Sequence, residues 1–289
     1  MSRPTPAAPS RLAHGITGLD HVLIGVAGLE AARAVYERLG FTMTPRGRHT
    51  GWATANYCIM FENDYLELLG IVEAGGESNG LDRFLEARGE GLLGLALASG
   101  DAPATRQQLS AGGLAPSPLR DLSRKLELRE GDVEPRFALV HLPAEEVPGL
   151  RLFIVQHLTP ELMRRREWLV HANGARRVSA IVARHVAPAS LAVAYVRLLG
   201  PDAVRHDDAD ELRLDLGGTT IRFLSPARAA ADYPDAGGSD EALVGLEIDC
   251  GGPAAARDVL ARNGVPHRDT ATGIRVAPAD ACGVTLDFV

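Results

Sequence analysis

Two side chains suited to metal binding stand in the opening and closing strands of one predicted segment. His21 lies within LDHVLIGV, a run whose alternation is typical of a β-strand. Glu67 is flanked by Leu66 and Leu68 in a second apolar run, where an unpaired carboxylate would be costly. Imidazole and carboxylate form a sensible ligand set for a borderline divalent ion. Either residue alone could be structural, but together they predict a shared polar site, with or without a metal.

Other polar and aromatic side chains fall on or just before the third predicted strand, and we expect them to contact a ligand. They are His49, Trp52 and Asn56. Asparagine is disfavoured in strands, so Asn56 is expected to make a specific hydrogen bond. That bond could go to a ligand or to the protein itself.

A mid-chain segment supplies a further set of candidates. Trp168 could form a flat wall over a planar ligand, while His171 and Asn173 could give directional polar contacts. Alternatively, this segment only joins two halves of the chain. His141 and Arg136 are weaker candidates, predicted to face Asn56 across a pseudo-symmetric fold.

The elements that must position these residues follow a recurring order: strand, helix, then three strands. The four copies begin near Leu19, Gly91, Arg177 and Ala242. Their helices end at Gly40, Gly112, Gly200 and Gly264. One such unit cannot bury both faces of its sheet, so copies should pair. The alternative is an ordinary α+β protein without a true repeat.

The predicted fold class is α+β, with four βαβββ modules arranged as two paired-module domains. We expect a disordered tail at 1–15, a first domain at 16–158, a connector at 159–175 and a second, degenerate domain at 176–289.

Composition narrows the range of partners. The net charge of −7 argues against a nucleic-acid phosphate partner. No apolar run reaches the roughly 18 residues that a membrane span needs, and no signal-peptide pattern is evident. Cys58, Cys250 and Cys282 lack the spacing of a disulfide framework or thiolate zinc site. We expect a cytoplasmic protein, a monomer or homodimer, whose partner is a small molecule.

The stretches Leu19–Ile24 and Tyr65–Leu68 resemble the opening and closing strands of a vicinal oxygen chelate module. Thr54-Ala55-Asn56 and the HANGA segment at 171–175 are similar to the glyoxalase-like branch of that superfamily. The resemblance implies a curled sheet that cups a divalent ion, such as Zn, Ni, Mn or Fe, with His21 and Glu67 as ligands. It does not fix an activity, because fold does not imply function.

The second module departs from this pattern. The position equivalent to His21 falls on Leu93 or Gly94, and the position equivalent to Glu67 falls on Phe153. His157 shares strand parity with Phe153, so a longer or shifted strand would make it a third metal ligand.

The second half of the chain departs further. Arg177 and Gly245 take the place of His21, and Arg222 and Asp287 take the place of Glu67. We expect ion pairs to replace a cation there, either between Arg222 and Asp287 or between Arg177 and Glu247.

Two functions remain open. The first is a metal-dependent lyase, isomerase or dioxygenase-like enzyme acting on a small oxygen-bearing metabolite through His21 and Glu67. The second is a non-catalytic protein of the bleomycin-resistance type, in which the same pair only orients a sequestered drug. Neither a GxSxG elbow nor a dinucleotide-binding or P-loop spacing is present.

Overall fold

The computed structural model describes residues 12–238 and 241–289. It contains two eight-stranded sheets. The strands of the first sheet are β1 (Ile16–Val26), β2 (Gly47–His49), β3 (Thr54–Met60), β4 (Tyr65–Ile71), β5 (Gly91–Ser99), β6 (Arg120–Leu126), β7 (Arg136–His141) and β8 (Leu152–His157). Its helices are α1 (Leu29–Arg38), α2 (Leu81–Arg88) and α3 (Ala102–Ala111).

The first sheet closes on itself as a barrel, in the order β1-β4-β3-β2-β6-β7-β8-β5. The pairs β1/β4 and β5/β8 are parallel, and antiparallel β1/β5 and β2/β6 pairings join the two groups. Closure places one face of every strand inside the barrel, where side chains from distant parts of the sequence meet.

The second sheet remains open, with β10 and β14 at its edges. Its strands are β9 (Arg177–Arg184), β10 (Val204–Asp208), β11 (Glu211–Asp215), β12 (Thr220–Leu224), β13 (Ala242–Asp249), β14 (Arg268–Asp269), β15 (Ile274–Val276) and β16 (Thr285–Phe288). Its helices are α4 (Ala192–Leu199), α5 (Pro226–Asp232) and α6 (Ala254–Arg262). The prediction of a mixed fold with two curled sheets is confirmed.

Two of the helices were not predicted from the sequence. Helix α2 follows β4 and covers one end of the barrel, where Leu81 and Phe84 pack against Gly25. Helix α5 follows β12, and Ser225 caps it by accepting a hydrogen bond from the Arg228 N–H. Tyr233, which follows α5, packs with Val182 and other apolar residues of the second sheet.

One apolar core extends through both halves of the molecule. Tyr36 on α1 is fully buried, and its hydroxyl donates to the Ala281 carbonyl at 3.3 Å. The Phe41 and Phe288 rings stand 5.8 Å apart. Gly40 has φ +90°, and a Cβ there would lie 2.7 Å from Val259, so a larger residue would force the halves apart. The domain boundaries at 158/159 and 175/176 therefore stay a prediction.

The predicted tail falls mostly outside the described residues, which begin at residue 12. Ala13–Gly15 form a short 3-10 turn, and the His14 ring lies 2.9 Å from the Arg197 carbonyl on α4. The predicted connector contains two 3-10 turns, Pro160–Leu162 and Arg166–Trp168.

The second half contains ion pairs, as expected, but the predicted pairings are wrong. Arg177 pairs with Asp249 at 2.9 Å. Asp287 pairs with Arg275 at 2.5 Å, and both side chains are buried. In each case the partners lie directly opposite one another on neighbouring strands, and such cross-strand neighbours are the closest available charges.

Arg222 also has partners other than the predicted one. Its guanidinium contacts Glu211 at 2.7 Å and Glu247 at 3.4 Å. Glu247 in turn accepts a hydrogen bond from the Tyr233 hydroxyl at 3.1 Å. The positions that correspond to His21 and Glu67 of the first half thus lie in a network of opposite charges and an aromatic ring.

Candidate active site in the closed barrel

A cavity of about 200 Å³ lies in the closed barrel. Strands β1, β2, β3, β4, β6, β7 and β8 contribute to its lining, together with the loop before α2. His21 Nε2 stands 3.4 Å from Glu67 Oε2, and both side chains are about 95% buried. The two residues face the same way because β1 and β4 are parallel neighbours, in a register that sets Leu23 opposite Glu67. The structure therefore brings together the pair that the sequence singles out.

Asp20, which sequence reasoning missed, fixes the orientation of His21. The pairing of β1 with β5 shifts between Leu19 and His21, so β1 contains a bulge at Asp20. Such a bulge can turn a side chain from its expected side of the strand. Asp20 Oδ1 lies 2.7 Å from His21 Nδ1. The only signal in the sequence was a charged residue next to a histidine in an apolar strand.

The Asp20 carboxylate remains ionised despite its burial. Burial alone would raise its pKa, but hydrogen bonds to His157 and His21 outweigh that effect and lower it. An ionised Asp20 accepts the Nδ1 proton of His21 and leaves a lone pair on Nε2, directed toward Glu67. The arrangement matches the carboxylate–histidine pairs that support metal-bound imidazoles.

The sequence predicts that His157 lies beside Glu67 as a third metal ligand. In the structure, His157 contacts Asp20 instead. Its Nε2 is 3.1 Å from Asp20. The residue sits opposite Phe137 at the far end of β8, and Phe153 faces the cavity instead. His157 is thus a partner of the residue that orients His21.

Asn56 and His49 lie on the other side of Glu67. Asn56 Nδ2 donates to Glu67 Oε1 at 2.5 Å, and His49 Nε2 is 3.7 Å from the same oxygen. Burial lowers the pKa of His49 to about 4, so its ring is neutral at pH 7. A Cβ at position 47 would lie 2.3 Å from Asn56 Oδ1, so Gly47 is required for Asn56 to reach Glu67.

Arg124 adds a buried positive charge that the sequence did not reveal. Its side-chain hydrogen bonds go to sulfur atoms, Cys58 Sγ at 3.2 Å and Met163 Sδ at 2.9 Å. Burial raises the pKa of the Cys58 thiol to about 11, so this thiol stays neutral and the charge of Arg124 acts on Glu67. Burial favours a higher pKa for Glu67, but His21, His49, Arg124 and Asn56 together lower it.

Aromatic rings form the walls near this charged group. The His21 ring stacks on Tyr65 with centroids 4.5 Å apart, and Phe153 meets it edge-on at 5.6 Å. Trp52, which we expect to contact a ligand, lines the cavity, and the Arg120 guanidinium lies 4.8 Å from its ring centroid.

The three connector residues predicted to bind substrate lie away from the cavity lining. His171 accepts the Thr42 N–H through Nδ1, and its Nε2 lies 3.0 Å from the Met60 carbonyl. Asn173 donates to the Leu39 carbonyl at 3.0 Å. Trp168 is buried in an apolar cluster beside Arg165. These contacts join the connector to the first half of the chain. They correspond to the alternative interpretation of this segment, in which it only joins the two halves.

The His21 nitrogen and the Glu67 oxygen that face each other have the spacing expected of two ligands of one divalent ion. Two atoms that bind a metal at about 2.1 Å in tetrahedral positions stand about 3.4 Å apart. His21 Nε2 and Glu67 Oε2 have this spacing, and both are hydrogen-bond acceptors, so their close approach favours a cation or proton between them. Within residues 12–238 and 241–289, no group of three or more His, Cys, Asp or Glu side chains forms a metal site. Further ligands would have to be water or substrate oxygens.

A family model described as "Glyoxalase-like domain" matches residues 19–199, more than half of the chain. The chain belongs to the glyoxalase-like family of the vicinal oxygen chelate superfamily. None of the curated proteins matches the sequence. Among the described residues, no helix is long and apolar enough to span a membrane.

Solved structures share the fold of this glyoxalase-like protein. A hypothetical protein from Staphylococcus aureus is 11% identical with a TM-score of 0.63, covering 94% of this chain and 99% of its own. A xylose isomerase-like TIM barrel/4-hydroxyphenylpyruvate dioxygenase fusion protein is 15% identical with a TM-score of 0.54. That match covers 99% of this chain, which spans only 50% of the fusion protein. A third match, methylmalonyl-CoA epimerase from Mycobacterium tuberculosis, is 19% identical over 52% of this chain and 94% of its own, but its TM-score of 0.40 is too low to show a shared fold.

Proposed function

We propose that this glyoxalase-like protein is a divalent-metal-dependent enzyme, a lyase or isomerase that acts on a small oxygen-bearing metabolite in the barrel cavity. The single observation that carries the proposal is the approach of His21 Nε2 to Glu67 Oε2 at 3.4 Å in a buried site. These two side chains would hold the ion, which would polarise a substrate oxygen as a Lewis acid.

The surrounding residues of the chain support this chemistry. Asp20 holds the His21 ring so that Nε2 faces the cavity, and Asn56 fixes Glu67 by binding its other oxygen. The charge of Arg124 and the hydrogen bond from Asn56 favour the ionised form of Glu67 without occupying Oε2. The apolar walls exclude water, which strengthens electrostatic interactions with a bound substrate.

The alternative, a sequestering protein of the bleomycin-resistance type, is favoured by the apolar groups that replace ligands in the second module. Phe153 faces His21 where a second carboxylate would be expected. The cavity of about 200 Å³ argues against this alternative, because sites for drug-sized molecules measure about 300–1,000 Å³. A small metabolite suits the space better.

Metal analysis of the purified full chain tests the proposal. Protein incubated with Zn, Ni, Mn or Fe(II) and then desalted should retain stoichiometric metal. The Glu67→Ala variant should lose it, while Glu37→Ala, which removes an exposed carboxylate on α1, should not. Wild-type protein that retains no metal under any of these conditions would overturn the proposal and favour the sequestering protein.

Three further statements belong to the proposal. We propose that the four βαβββ segments derive from one module, because each predicted copy of the strand and helix order ends its helix at a glycine. We also propose that the protein acts in the cytoplasm, as a monomer or homodimer, on a small molecule. The shared core of the two halves is consistent with a monomer, since each half already buries its apolar surface against the other.

A further inference from the structure

The cavity has a second group of polar side chains, away from Glu67. Arg151 precedes β8, lines the cavity, and donates a hydrogen bond to the Asn79 carbonyl at 2.5 Å. Across the described residues it has no carboxylate partner, and Arg83 is the nearby charge that affects it. By contrast, Arg46 pairs with Glu127 and Arg275 with Asp287. Arg151 is an exposed residue at the cavity wall, and no acid among the described residues balances its positive charge.

His141 lies beside this charge. Its ring stacks on Phe153 with centroids 5.5 Å apart. In the part of the chain that the structure describes, neither ring nitrogen has a hydrogen-bond partner. Burial lowers the His141 pKa, and the charges of Arg120 and Arg151 lower it further. The two charged groups that shift this pKa are thus both cationic.

The Phe153 ring contacts one imidazole of each polar group. It meets the His21 ring edge-on with centroids 5.6 Å apart, and it stacks on the His141 ring with centroids 5.5 Å apart. The two imidazoles cannot be farther apart than these distances combined, so one small molecule can reach both. Leu139, Val155 and Phe153 contribute apolar side chains to the lining of the same cavity.

We propose that Arg151 and His141 bind a carboxylate of the substrate, which makes the substrate a small acid with an apolar middle. Its carboxylate faces Arg151, and its reacting oxygens face His21 and Glu67. Guanidinium groups bind planar carboxylates through paired, charge-assisted hydrogen bonds. The placement of the reacting oxygens at His21 and Glu67 rests on the proposed function. Binding of the substrate carboxylate by Arg151 and His141 requires no metal.

Affinity for matched acids and amides tests the inference. The probes are 3-phenylpropanoate, hexanoate and 4-methylpentanoate, each compared with its amide by calorimetry on the full chain after removal of metal with a chelator. At least one acid should bind about tenfold more tightly than its amide, the ratio expected for a charge-assisted contact. Arg151→Gln should abolish the preference, and Arg151→Lys should keep part of it.

The control is Arg205→Gln, which makes the same charge change at an exposed position on the edge strand of the second sheet. It should leave the preference intact. Equal affinity of wild-type protein for every acid and its amide, absence of binding by all three acids, or a preference that survives in Arg151→Gln would overturn the inference. Metal retention by Arg151→Gln separates the two proposals, since this variant should bind metal like the wild type.

Discussion

Glu67 has two oxygen atoms that face different groups. Oε1 accepts the short hydrogen bond from Asn56, whereas Oε2 faces His21. An amide donor thus neutralises part of the charge on one oxygen and leaves the other directed at an imidazole lone pair. This division allows one carboxylate to be held rigidly by the protein and still serve as a ligand.

Asp20 should act as a positioning residue for this pair. Asp20→Asn is nearly isosteric, but it removes the charge that fixes the proton on His21 Nδ1. We expect metal affinity to fall about tenfold, the lower end of the range for partners of metal-bound histidines. Competition titration against a chromophoric chelator measures this change.

The control for this variant is Asp121→Asn, an exposed change on β6 of the same barrel. Its affinity should equal that of the wild type. If Asp20→Asn binds metal as tightly as the control, Asp20 does not position His21, and the carboxylate–histidine arrangement described above has no role in metal binding.

The β3–β4 hairpin connects the strand that carries Glu67 to the second sheet. Arg164 of the connector donates hydrogen bonds to the carbonyls of Phe61, Glu62 and Asn63 in the hairpin. Asp64 Oδ1 accepts the Val178 N–H at the start of β9. The strand that carries Glu67 thus begins at a point held by both the connector and the second half.

Asp64 should make stability depend on pH. Burial raises its pKa from 3.8 to about 7, so the folded protein favours the protonated form. Stability should therefore fall as pH rises from about 4 to 7 and level off above. Asn at this position keeps an acceptor for Val178 without a charge. We expect Asp64→Asn to raise the melting temperature by a few degrees at pH 8 and to match the wild type near pH 4.

Thermal melts across this pH range measure the effect. Asp202→Asn, an exposed change in the second half, is the control and should follow the wild type at every pH. A constant difference between Asp64→Asn and wild type from pH 4 to 8 would mean that this carboxyl does not titrate as described.

At the scale of the whole molecule, the two sheets share one core, although only the first encloses the proposed site. Phe288 on β16 is fully buried against Phe41. In the second half, Tyr233 lies over Gly245, where a Cβ would meet its ring at 3.0 Å. The second sheet thus packs with the first through the shared core, and Tyr233 occupies part of its own face.

Shared packing predicts one cooperative unfolding transition. Phe288→Ala should destabilise the protein by about 3–5 kcal/mol, the cost of a large cavity in a core. Both tryptophans, Trp52 and Trp168, lie outside the second sheet, so their fluorescence reports on the first half. The urea transition seen by fluorescence should shift as far as that seen by far-ultraviolet circular dichroism.

Val186→Ala is a control for this test, because Val186 is 70% exposed and its loss creates no cavity. Two separate transitions in Phe288→Ala, with fluorescence unchanged, would show that the halves unfold independently.

The sequence by itself determined most of the strands and helices and singled out the His21–Glu67 pair, because hydrophobic periodicity and helix-ending glycines are local signals. Local signals could not predict what closing the barrel brings together. Arg124 and Arg151 reach the cavity from β6 and the start of β8, far along the chain from His21. Nor could they predict the bulge at Asp20, since a register shift depends on the neighbouring strand. Ion-pair partners in the second half were mistaken for the same reason: which charges meet is decided by strand register.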